Sequence, residues 1–318
     1  MYKEFEEYIA NSFLETLIKE DSVTDISFNG KELFFLDNIK GRQKADISPT
    51  KVEALDFIRQ IANISEKQFS FSEPLLDVSV GRYRINAVHS SITKVDDEKT
   101  VSFSLRIASL RNRILDDPSF MSSDEKEYLL KLLKNKESIV VAGATGSGKT
   151  ELQKYLLQSL EKYVRVIVID NIQELEGLMN KEDLDLTYWQ VSTNMKDRTF
   201  ISLIKNALRC NPDWLVISEA RGEEMNDVLQ SVVSGHPIIT TLHAETIEEV
   251  PSRMARMIQL SNQTQNYEDL LHDIYKNFRN YVFVKRTIGS NGKVRRYISA
   301  IGKIKDNKMN LLFERRPQ

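Results

Sequence analysis

The pattern of hydrophobic and polar positions differs between the first and the second part of the chain. In the first part, apolar positions at helical spacing predict one helix from Tyr2 to about Lys19 and another from Pro49 to Ala62. Short apolar or alternating runs, separated by turn signals such as Asn29-Gly30 and Asn38–Gly41, predict strands. These strands cover Val23–Phe28, Glu32–Leu36, Leu76–Val80, Tyr83–Val88 and Val101–Ile107.

A polar, arginine-rich connector follows the last of these strands and contains Asp116-Asp117-Pro118. We place the domain boundary there, at residues 108–120, because the pattern changes on its far side. The sequence thus predicts an N-terminal α/β domain over residues 1–110, a linker over 111–121 and a second domain over 122–318.

The second part alternates between strands and helices. A helix from Ser122 leads to the buried apolar run Ser138–Ala142. Further strands are predicted at Val164–Ile169, Tyr188–Val191, Asp213–Ser218 and Ile238–Leu242, and helices at 199–210, 224–234 and 245–258. Such alternation predicts a mostly parallel sheet that is covered on both faces. Tyr281–Thr287 and Val294–Ile304, on either side of Ser290-Asn291-Gly292, predict a C-terminal hairpin.

Composition narrows the class of protein. The 318 residues are enough for about two domains, and 28% charged with 41% hydrophobic residues is ordinary for a globular protein. The net charge of −2 gives no global attraction to nucleic acid or anionic lipid. Cys210 is the only cysteine, which excludes a disulfide framework and a thiolate metal cluster. The acidic N-terminus and the lack of a long apolar run predict a cytoplasmic protein, whose membrane association runs through partners.

One motif carries specific chemistry. The run from Gly143 to Thr150 fits the pattern G-x-x-x-x-G-K-[ST], between a buried strand and a helix that starts near Glu151. Backbone N–H groups of such a loop and the positive end of the following helix bind phosphate. Lys149 would reach the β- and γ-phosphates, and the Thr150 hydroxyl would ligate Mg²⁺. The predicted nucleotide-binding residues are Gly143, Ala144, Thr145, Gly146, Ser147, Gly148, Lys149, Thr150 and Glu151.

Several polar residues follow other predicted strands. Glu219 ends the run Leu215–Ser218, which we expect to lie next to the phosphate-loop strand, and Glu219 would then hold Mg²⁺ or polarise the attacking water. Asp170 and Glu174 form a second acidic cluster, for which a helix-terminal structural role is nearly as good an explanation. His236 and His243 bracket the strand Ile238–Leu242 and so cannot form a zinc pair on one helical face.

Together these segments resemble the secretion traffic ATPases, the hexameric motors of type IV secretion, type II secretion and type IV pili. The resemblance extends over almost the whole chain. The similar segments are Val23-Thr24-Asp25-Ile26 with Asn29-Gly30, Gly81–Val88, Ser104-Leu105-Arg106, Leu208–Asp213 with Glu219-Ala220-Arg221-Gly222, and Ser234-Gly235-His236 through His243-Ala244. The length and the single short N-terminal domain look most like the VirB-class ATPases of type IV secretion and conjugation, with pilus-retraction and CpaF-type motors as rivals.

The chain departs from the family pattern at three places. The acidic box of the family reads Glu-Asp-x-x-Glu, whereas this chain has Asp170-Asn171-Ile172-Gln173-Glu174, in which only the last acid matches. Ser218 stands where the family has a glycine before the Walker B glutamate, and the segment between His236 and His243 is one residue shorter than in many members. The four-cysteine metal domain of the extension ATPases is absent from the sequence.

The resemblance implies a RecA-like P-loop NTPase motor domain behind a small, PAS-like α/β N-terminal domain. It also implies a homohexameric ring that hydrolyses Mg-ATP at the cytoplasmic face of the inner membrane, together with the membrane components of a secretion or pilus machine. Lys149, Glu219 and Glu174 would be catalytic, Thr150 and Glu219 would hold the metal ion, and His243 would sense the γ-phosphate. Arg84 and Arg106, from the N-terminal domain, would face the nucleotide, with Arg82 as the weaker candidate.

Other classes of function stay open at this stage. A RecA-like nucleic-acid motor shares the core, but the composition gives no support for a basic, aromatic channel, and no sequence-specific nucleic-acid binding is expected. A GTPase is disfavoured because Asn194-Met195-Lys196-Asp197 only looks similar to a base-reading motif. The altered acidic box keeps a non-hydrolysing, nucleotide-gated scaffold among the alternatives.

Overall fold

A computed structural model describes residues 2–108, 117, 119–171, 175, 183–191, 199–261, 265–289 and 294–315. The chain divides into two compact units. The first is formed by Met1–Leu110 together with Ile288–Arg295. The second is formed by Arg111–Asn171, Leu175–Thr287 and Arg296–Gln318.

The first unit is an antiparallel sheet with helices packed on one face. Its helices are α1 (Tyr2–Ala10), α2 (Glu15–Lys19) and α3 (Lys51–Ile64). Its strands are β1 (Val23–Phe28), β2 (Leu33–Asp37), β3 (Gly41–Lys44), β4 (Leu75–Val80), β5 (Tyr83–Val88), β6 (Lys94–Val95), β7 (Glu98–Lys99) and β8 (Ser102–Ile107). The main sheet has the order β3-β2-β1-β8-β5-β4, and β6 pairs with β7 separately.

Alternation along the strands sends apolar and charged side chains to opposite faces of this sheet. Ile26, Leu105 and Ile85 are in register on neighbouring strands and are fully buried. On the other face, Arg106 of β8 lies directly opposite Arg84 of β5. The fold therefore brings two of the predicted catalytic arginines side by side.

The second unit contains a longer, mostly parallel sheet. Its helices are α4 (Ser123–Lys134), α5 (Lys149–Gln158), α6 (Phe200–Leu208), α7 (Met225–Val233), α8 (Val250–Ser261) and α9 (Tyr267–Asn277). The strands of this sheet are β9 (Ile139–Gly143), β10 (Arg165–Asp170), β11 (Asp185–Gln190), β12 (Trp214–Ile217), β13 (Ile238–Leu242), β14 (Asn280–Ile288), β15 (Val294–Lys305) and β16 (Lys308–Glu314). The last residue of β14 and the first two residues of β15 belong to the first unit. The strand order is β11-β10-β12-β13-β9-β14-β15-β16, with parallel pairing from β11 to β14 and an antiparallel pair β15–β16.

Helices cover both faces of this sheet, as the alternation of strands and helices predicts. Val140 and Ile167 join one buried cluster, which contains side chains of α6, α7, α8 and α9. Val141 and Val168 join the other, which contains side chains of α4 and α5. All five residues of β9 and of β13 are buried, which explains why both strands lack charged side chains and contain only small or apolar residues and threonine.

The strand order corrects one expectation. The strand that precedes Glu219 does not lie next to the phosphate-loop strand, because β13 is inserted between β12 and β9 and pairs in parallel with both. Strand order is a long-range property, and nothing in the apolar runs of β12 and β13 shows which of these two strands pairs with β9. The insertion places the residue that follows β13 between those that follow β9 and β12.

Some element boundaries also differ from the sequence pattern. The predicted helix from Tyr2 to Lys19 is broken between α1 and α2, where the Ser12 hydroxyl donates to Ile9 O and accepts from Leu14 N. Such local side-chain bonds compete with the helical ladder. Helix α8 begins only at Val250, with Pro251 in its first turn, where the missing N–H costs no hydrogen bond. None of the described helices is both long and apolar enough to cross a membrane.

Candidate functional site

The phosphate loop connects the end of β9 to the start of α5. Gly143 and Gly148 both have positive φ, at 152° and 105°, and Gly148 caps the helix that Lys149 begins. A Cβ atom on Gly143 would lie 2.2 Å from the carbonyl oxygen of Val284, so no other residue fits there without movement of the backbone. The glycines of the motif are therefore required by the shape of the loop.

The loop has the features that a phosphate-binding cradle requires. Ala144, Thr145 and Gly146 are exposed at its crest, and Thr150 is partly exposed. The Ser147 hydroxyl is buried in the loop and has no hydrogen-bond partner among the described residues. An unpartnered polar atom beneath an exposed glycine loop, at the positive end of a helix, fits an anionic ligand.

Lys149 is the charged centre of the site and is only 7% exposed. Its Nζ donates to the carbonyl oxygens of Gly143 at 3.1 Å and Ala144 at 3.0 Å. The same Nζ lies 3.2 Å from Nδ1 of His243. These contacts compensate a buried ammonium group, which would be strongly unfavourable without partners.

His243 connects Lys149 to Glu219. An ammonium group can only donate, so Nδ1 of His243 accepts from Lys149 and a neutral ring carries its proton on Nε2. That Nε2 lies 2.7 Å from Oε1 of Glu219. Burial and the Lys149 ammonium lower the pKa of His243, against the opposing effect of Glu219. His243 therefore lies between a buried cation and a buried carboxylate, with a hydrogen bond to the first and a close contact, without hydrogen-bond geometry, to the second.

Glu219 follows β12 and is 6% exposed. Besides its contact with His243, it accepts a hydrogen bond at Oε2 from Nη2 of Arg221 at 2.7 Å. Glu224 fixes the turn, because its Oε1 accepts from the backbone N–H groups of Arg221 and Gly222. The sequence motif contains Arg221 but does not predict a role for it, since nothing in a motif shows that a side chain folds back onto a residue two positions earlier.

Gln153 is a second residue that the sequence analysis missed. It is fully buried on α5, and its Nε2 donates to the carbonyl oxygens of Ile217 at 2.8 Å and Ile239 at 3.3 Å. The side chain thus ties the phosphate-loop helix to the two strands that carry Glu219 and His243. Its partners lie 64 and 86 residues away in sequence, which explains why no local pattern indicates them.

The acidic cluster is organised differently from the phosphate loop. The fully buried Asp170 accepts at Oδ2 from the backbone N–H of Leu175 at 3.1 Å and from the Tyr188 hydroxyl at 3.2 Å. Asn171 Oδ1 accepts from the Ser218 hydroxyl at 3.2 Å, so two of the departures from the family pattern contact one another. Glu174, the third acid of the predicted site, lies outside the described residues.

The arginines belong to the first unit. Arg84 lies 3.4 Å from Asp77 and directly opposite Arg106, whose other neighbour in register is Asp25 of β1. Arg82 stacks over the ring of its neighbour Tyr83 at 4.9 Å and donates to that hydroxyl. The structure therefore brings Arg84 and Arg106 together and gives Arg82 a separate local partner.

Comparison with known proteins gives a match to a family model and to several similar proteins. The family model described as "Type II/IV secretion system protein" matches residues 87–272, more than half of the chain. An uncharacterized protein of Bacillus anthracis is 29% identical over 98% of this chain and 71% of its own length. The type IV secretion system protein VirB11 of Bartonella quintana is 23% identical over 78% of this chain and 80% of its own.

A solved structure has the same fold. The pilus retraction motor PilT, determined with bound ADP, superposes with a TM-score of 0.63 at 18% identity, over 91% of this chain and 82% of its own. At this identity the likeness concerns the fold alone. The expected fold, a RecA-like P-loop domain behind a small α/β N-terminal domain, is confirmed.

The electrostatic link through His243 gives a test of the site geometry. Lys149→Ala removes a cation that lowers the pKa of His243, so that pKa should rise towards the usual value of about 6.5. Glu219→Gln removes an anion that raises it, so the pKa should fall further. The measurement is an NMR titration of the ring protons, assigned with His243→Gln.

The sign of the effect on folding follows from the same shift. Because the pKa of His243 is lower in the folded protein, the unfolded chain takes up the proton first, and stability from this group is lost as the pH falls below about 6.5. His243→Gln should therefore reduce the loss of stability on acidification. Equal or same-direction pKa changes in the two variants would contradict the proposed arrangement of Lys149, His243 and Glu219.

Proposed function

The chain belongs to the type II/IV secretion system protein family, and from that premise we propose that it hydrolyses Mg-ATP to drive a secretion machine. The observation that carries the proposal is the buried Lys149 ammonium in a phosphate loop, linked through His243 to Glu219. A phosphate loop alone supports nucleotide binding. The link to a buried carboxylate supports hydrolysis, because both parts of the reaction are then in one connected site.

We assign nucleotide binding to residues of the second unit. The backbone N–H groups from Gly146 to Thr150 and the Lys149 ammonium would hold the β- and γ-phosphates. The Thr150 hydroxyl and the Glu219 carboxylate would hold Mg²⁺, directly or through water. The metal ion would supply positive charge to the phosphate oxygens.

Lys149 would exchange one set of partners for another when phosphate binds. Its present partners include two carbonyl oxygens and an imidazole nitrogen, which are weaker partners for a cation than phosphate oxygens. Its departure would free Nδ1 of His243, and a ring that then carries a proton on Nδ1 would donate to a γ-phosphate oxygen. Glu219, still adjacent to Nε2 of the ring, would orient the water for in-line attack on the γ-phosphate.

The biological role follows from the relatives. VirB11 of Bartonella quintana is described as a type IV secretion system protein, and PilT as a pilus retraction motor. We propose that this chain acts as a homohexameric ring in type IV secretion or conjugation. The ring would lie on the cytoplasmic face of the inner membrane, held by membrane components of the machine. A pilus-type or CpaF-type motor is the alternative within the family.

One observation favours a second candidate function. Both carboxylate oxygens of Glu219 have close neighbours, in Arg221 and His243, and Asn171 and Ser218 hold each other where the family places an acid and a glycine. If these contacts persist with nucleotide bound, the chain would bind ATP without hydrolysing it. It would then act as a nucleotide-gated scaffold.

The variants Lys149→Ala and Glu219→Gln distinguish ATP hydrolysis from a nucleotide-gated scaffold. Loss of the Lys149 ammonium leaves phosphate charge uncompensated, so we expect hydrolysis to fall by about 10²–10³ and nucleotide binding to weaken. Glu219→Gln keeps the shape of the side chain, so we expect binding to survive while turnover stops. Fluorescent nucleotide binding and phosphate release measure the two effects separately.

Asp170→Asn serves as the comparison variant. The Asp170 carboxylate accepts hydrogen bonds from Leu175 and Tyr188, and these bonds do not involve His243. We expect Asp170→Asn to lower the turnover rate less than Glu219→Gln does. Wild-type protein that binds ATP with no phosphate release would favour the scaffold. Near wild-type turnover of purified Lys149→Ala would overturn the assignment of the phosphate loop.

We further propose that Arg84 and Arg106 stabilise the γ-phosphate bound by the second unit, from the same or a neighbouring subunit. The two guanidinium groups lie on strands in register, and a carboxylate flanks each of them, with Asp77 paired to Arg84 and Asp25 in register with Arg106. Two adjacent guanidinium groups fit an anionic ligand, because they form planar, charge-assisted hydrogen bonds with phosphate.

Arg84→Ala and Arg106→Ala should each lower hydrolysis sharply, towards the factor of about 10³ or more that an arginine finger contributes. The fold should survive, because both side chains lie outside the buried cluster of the first unit. Arg59→Ala, on the exposed side of α3, is the matched control and should leave turnover unchanged. Wild-type rates in both test variants would show that these arginines do not act on the nucleotide.

A further inference from the structure

A side chain from the C-terminal part of the second unit contacts the phosphate loop. Arg296 lies near the start of β15, and its Nε donates a hydrogen bond to the carbonyl oxygen of Gly146 at 2.8 Å. The two residues are 150 positions apart in sequence. No sequence motif predicts this contact.

The same region of the loop is bordered by a second side chain. A Cβ atom built on Gly148 would lie 3.2 Å from the ring of Phe120 and 3.6 Å from Cδ of Arg296. A Cβ atom built on Gly146, by contrast, would meet no atom within 4 Å. Packing therefore restrains the loop at Gly148. At its crest the restraints are the hydrogen bond from Arg296 to Gly146 O and a longer backbone bond, at 3.3 Å, from the Ser147 N–H to Ala144 O.

The strand that carries Arg296 is itself firmly placed. The backbone N–H of Ile298 donates to the carbonyl oxygen of Phe120 at 2.8 Å. Arg315, just beyond β16, donates to the carbonyl oxygen of Ser119 at 3.0 Å and pairs with the buried Glu125 of α4. Arg296 is thus anchored on a strand that is tied to the segment before α4, and it can act as a fixed point for a glycine loop.

We propose that Arg296 is a positioning residue that braces the phosphate loop in its phosphate-binding shape. In a trans peptide the carbonyl and the following N–H point in opposite directions, so fixing Gly146 O also fixes the direction of the Ser147 N–H. Gly146 has φ of 70°, in a region that glycine enters and leaves easily, so an unbraced crest would sample many conformations. Bracing lowers the entropy that the loop loses when it closes on phosphate.

The consequence for binding rests on the proposed nucleotide site, whereas the bracing itself does not. Hydrogen exchange of the loop amides, without added nucleotide, tests the bracing. In Arg296→Ala we expect exchange over residues 143–150 to become about tenfold faster, in line with loss of a hydrogen bond from a charged group. Arg296→Lys keeps most of the stem against Gly148 but loses the guanidinium Nε, and it should fall between wild type and Arg296→Ala.

Nucleotide affinity tests the consequence. With fluorescent ADP, Arg296→Ala should bind about tenfold more weakly than wild type, and in turnover KM for ATP should rise while kcat changes little. Arg295→Ala is the matched control, because neighbouring residues of a strand point to opposite faces of the sheet. It should change neither the affinity for ADP nor KM for ATP.

The outcomes separate the two claims. Unchanged loop exchange in Arg296→Ala would overturn the bracing. Faster exchange with unchanged ADP affinity would overturn the positioning role and leave Arg296 a purely structural residue. If wild-type protein binds no nucleotide, the proposed function is contradicted, and the exchange measurement alone decides whether Arg296 braces the loop.

Discussion

The arrangement of the second unit depends on compensating one buried positive charge. The Lys149 ammonium is almost completely removed from water, and without nearby acceptors such a group would be strongly unfavourable. The structure provides two loop carbonyls and the Nδ1 atom of His243. Each of these acceptors is weaker than a phosphate oxygen. They therefore hold Lys149 in place, and a bound phosphate can still replace them as its hydrogen-bond partner.

The order of strands in the sheet explains how the partners of this charge are assembled. The phosphate loop follows β9, His243 follows β13 and Glu219 follows β12, and these strands are consecutive neighbours in the sheet. The carboxyl ends of parallel strands meet at one edge, where α/β sheets bind their ligands. Gln153 reaches from α5 to Ile217 at the end of β12 and to Ile239 near the start of β13, so the helix that begins at the phosphate loop also contacts both strands.

Much of this site could be predicted from the sequence because its signals are local. The phosphate loop is one continuous motif, and Glu219 and His243 each follow an apolar run that forms a strand. The order of those strands was wrong in the prediction, since short apolar runs do not specify their neighbours. Arg296 and Gln153 were missed for a related reason, because their contacts join residues far apart in the chain. In the first unit, Ser12 broke a predicted helix through bonds that a hydrophobic pattern does not contain.

The central claim is that phosphate replaces the present partners of Lys149 and thereby frees His243. A crystal structure of the protein with Mg²⁺ and a non-hydrolysable ATP analogue tests it most directly. We expect Lys149 Nζ to lie within hydrogen-bond distance of the β- and γ-phosphate oxygens and away from the Gly143 and Ala144 carbonyls and from His243. A nucleotide bound elsewhere would contradict this exchange of partners, as would a nucleotide in the loop with Lys149 Nζ still within hydrogen-bond distance of His243 Nδ1.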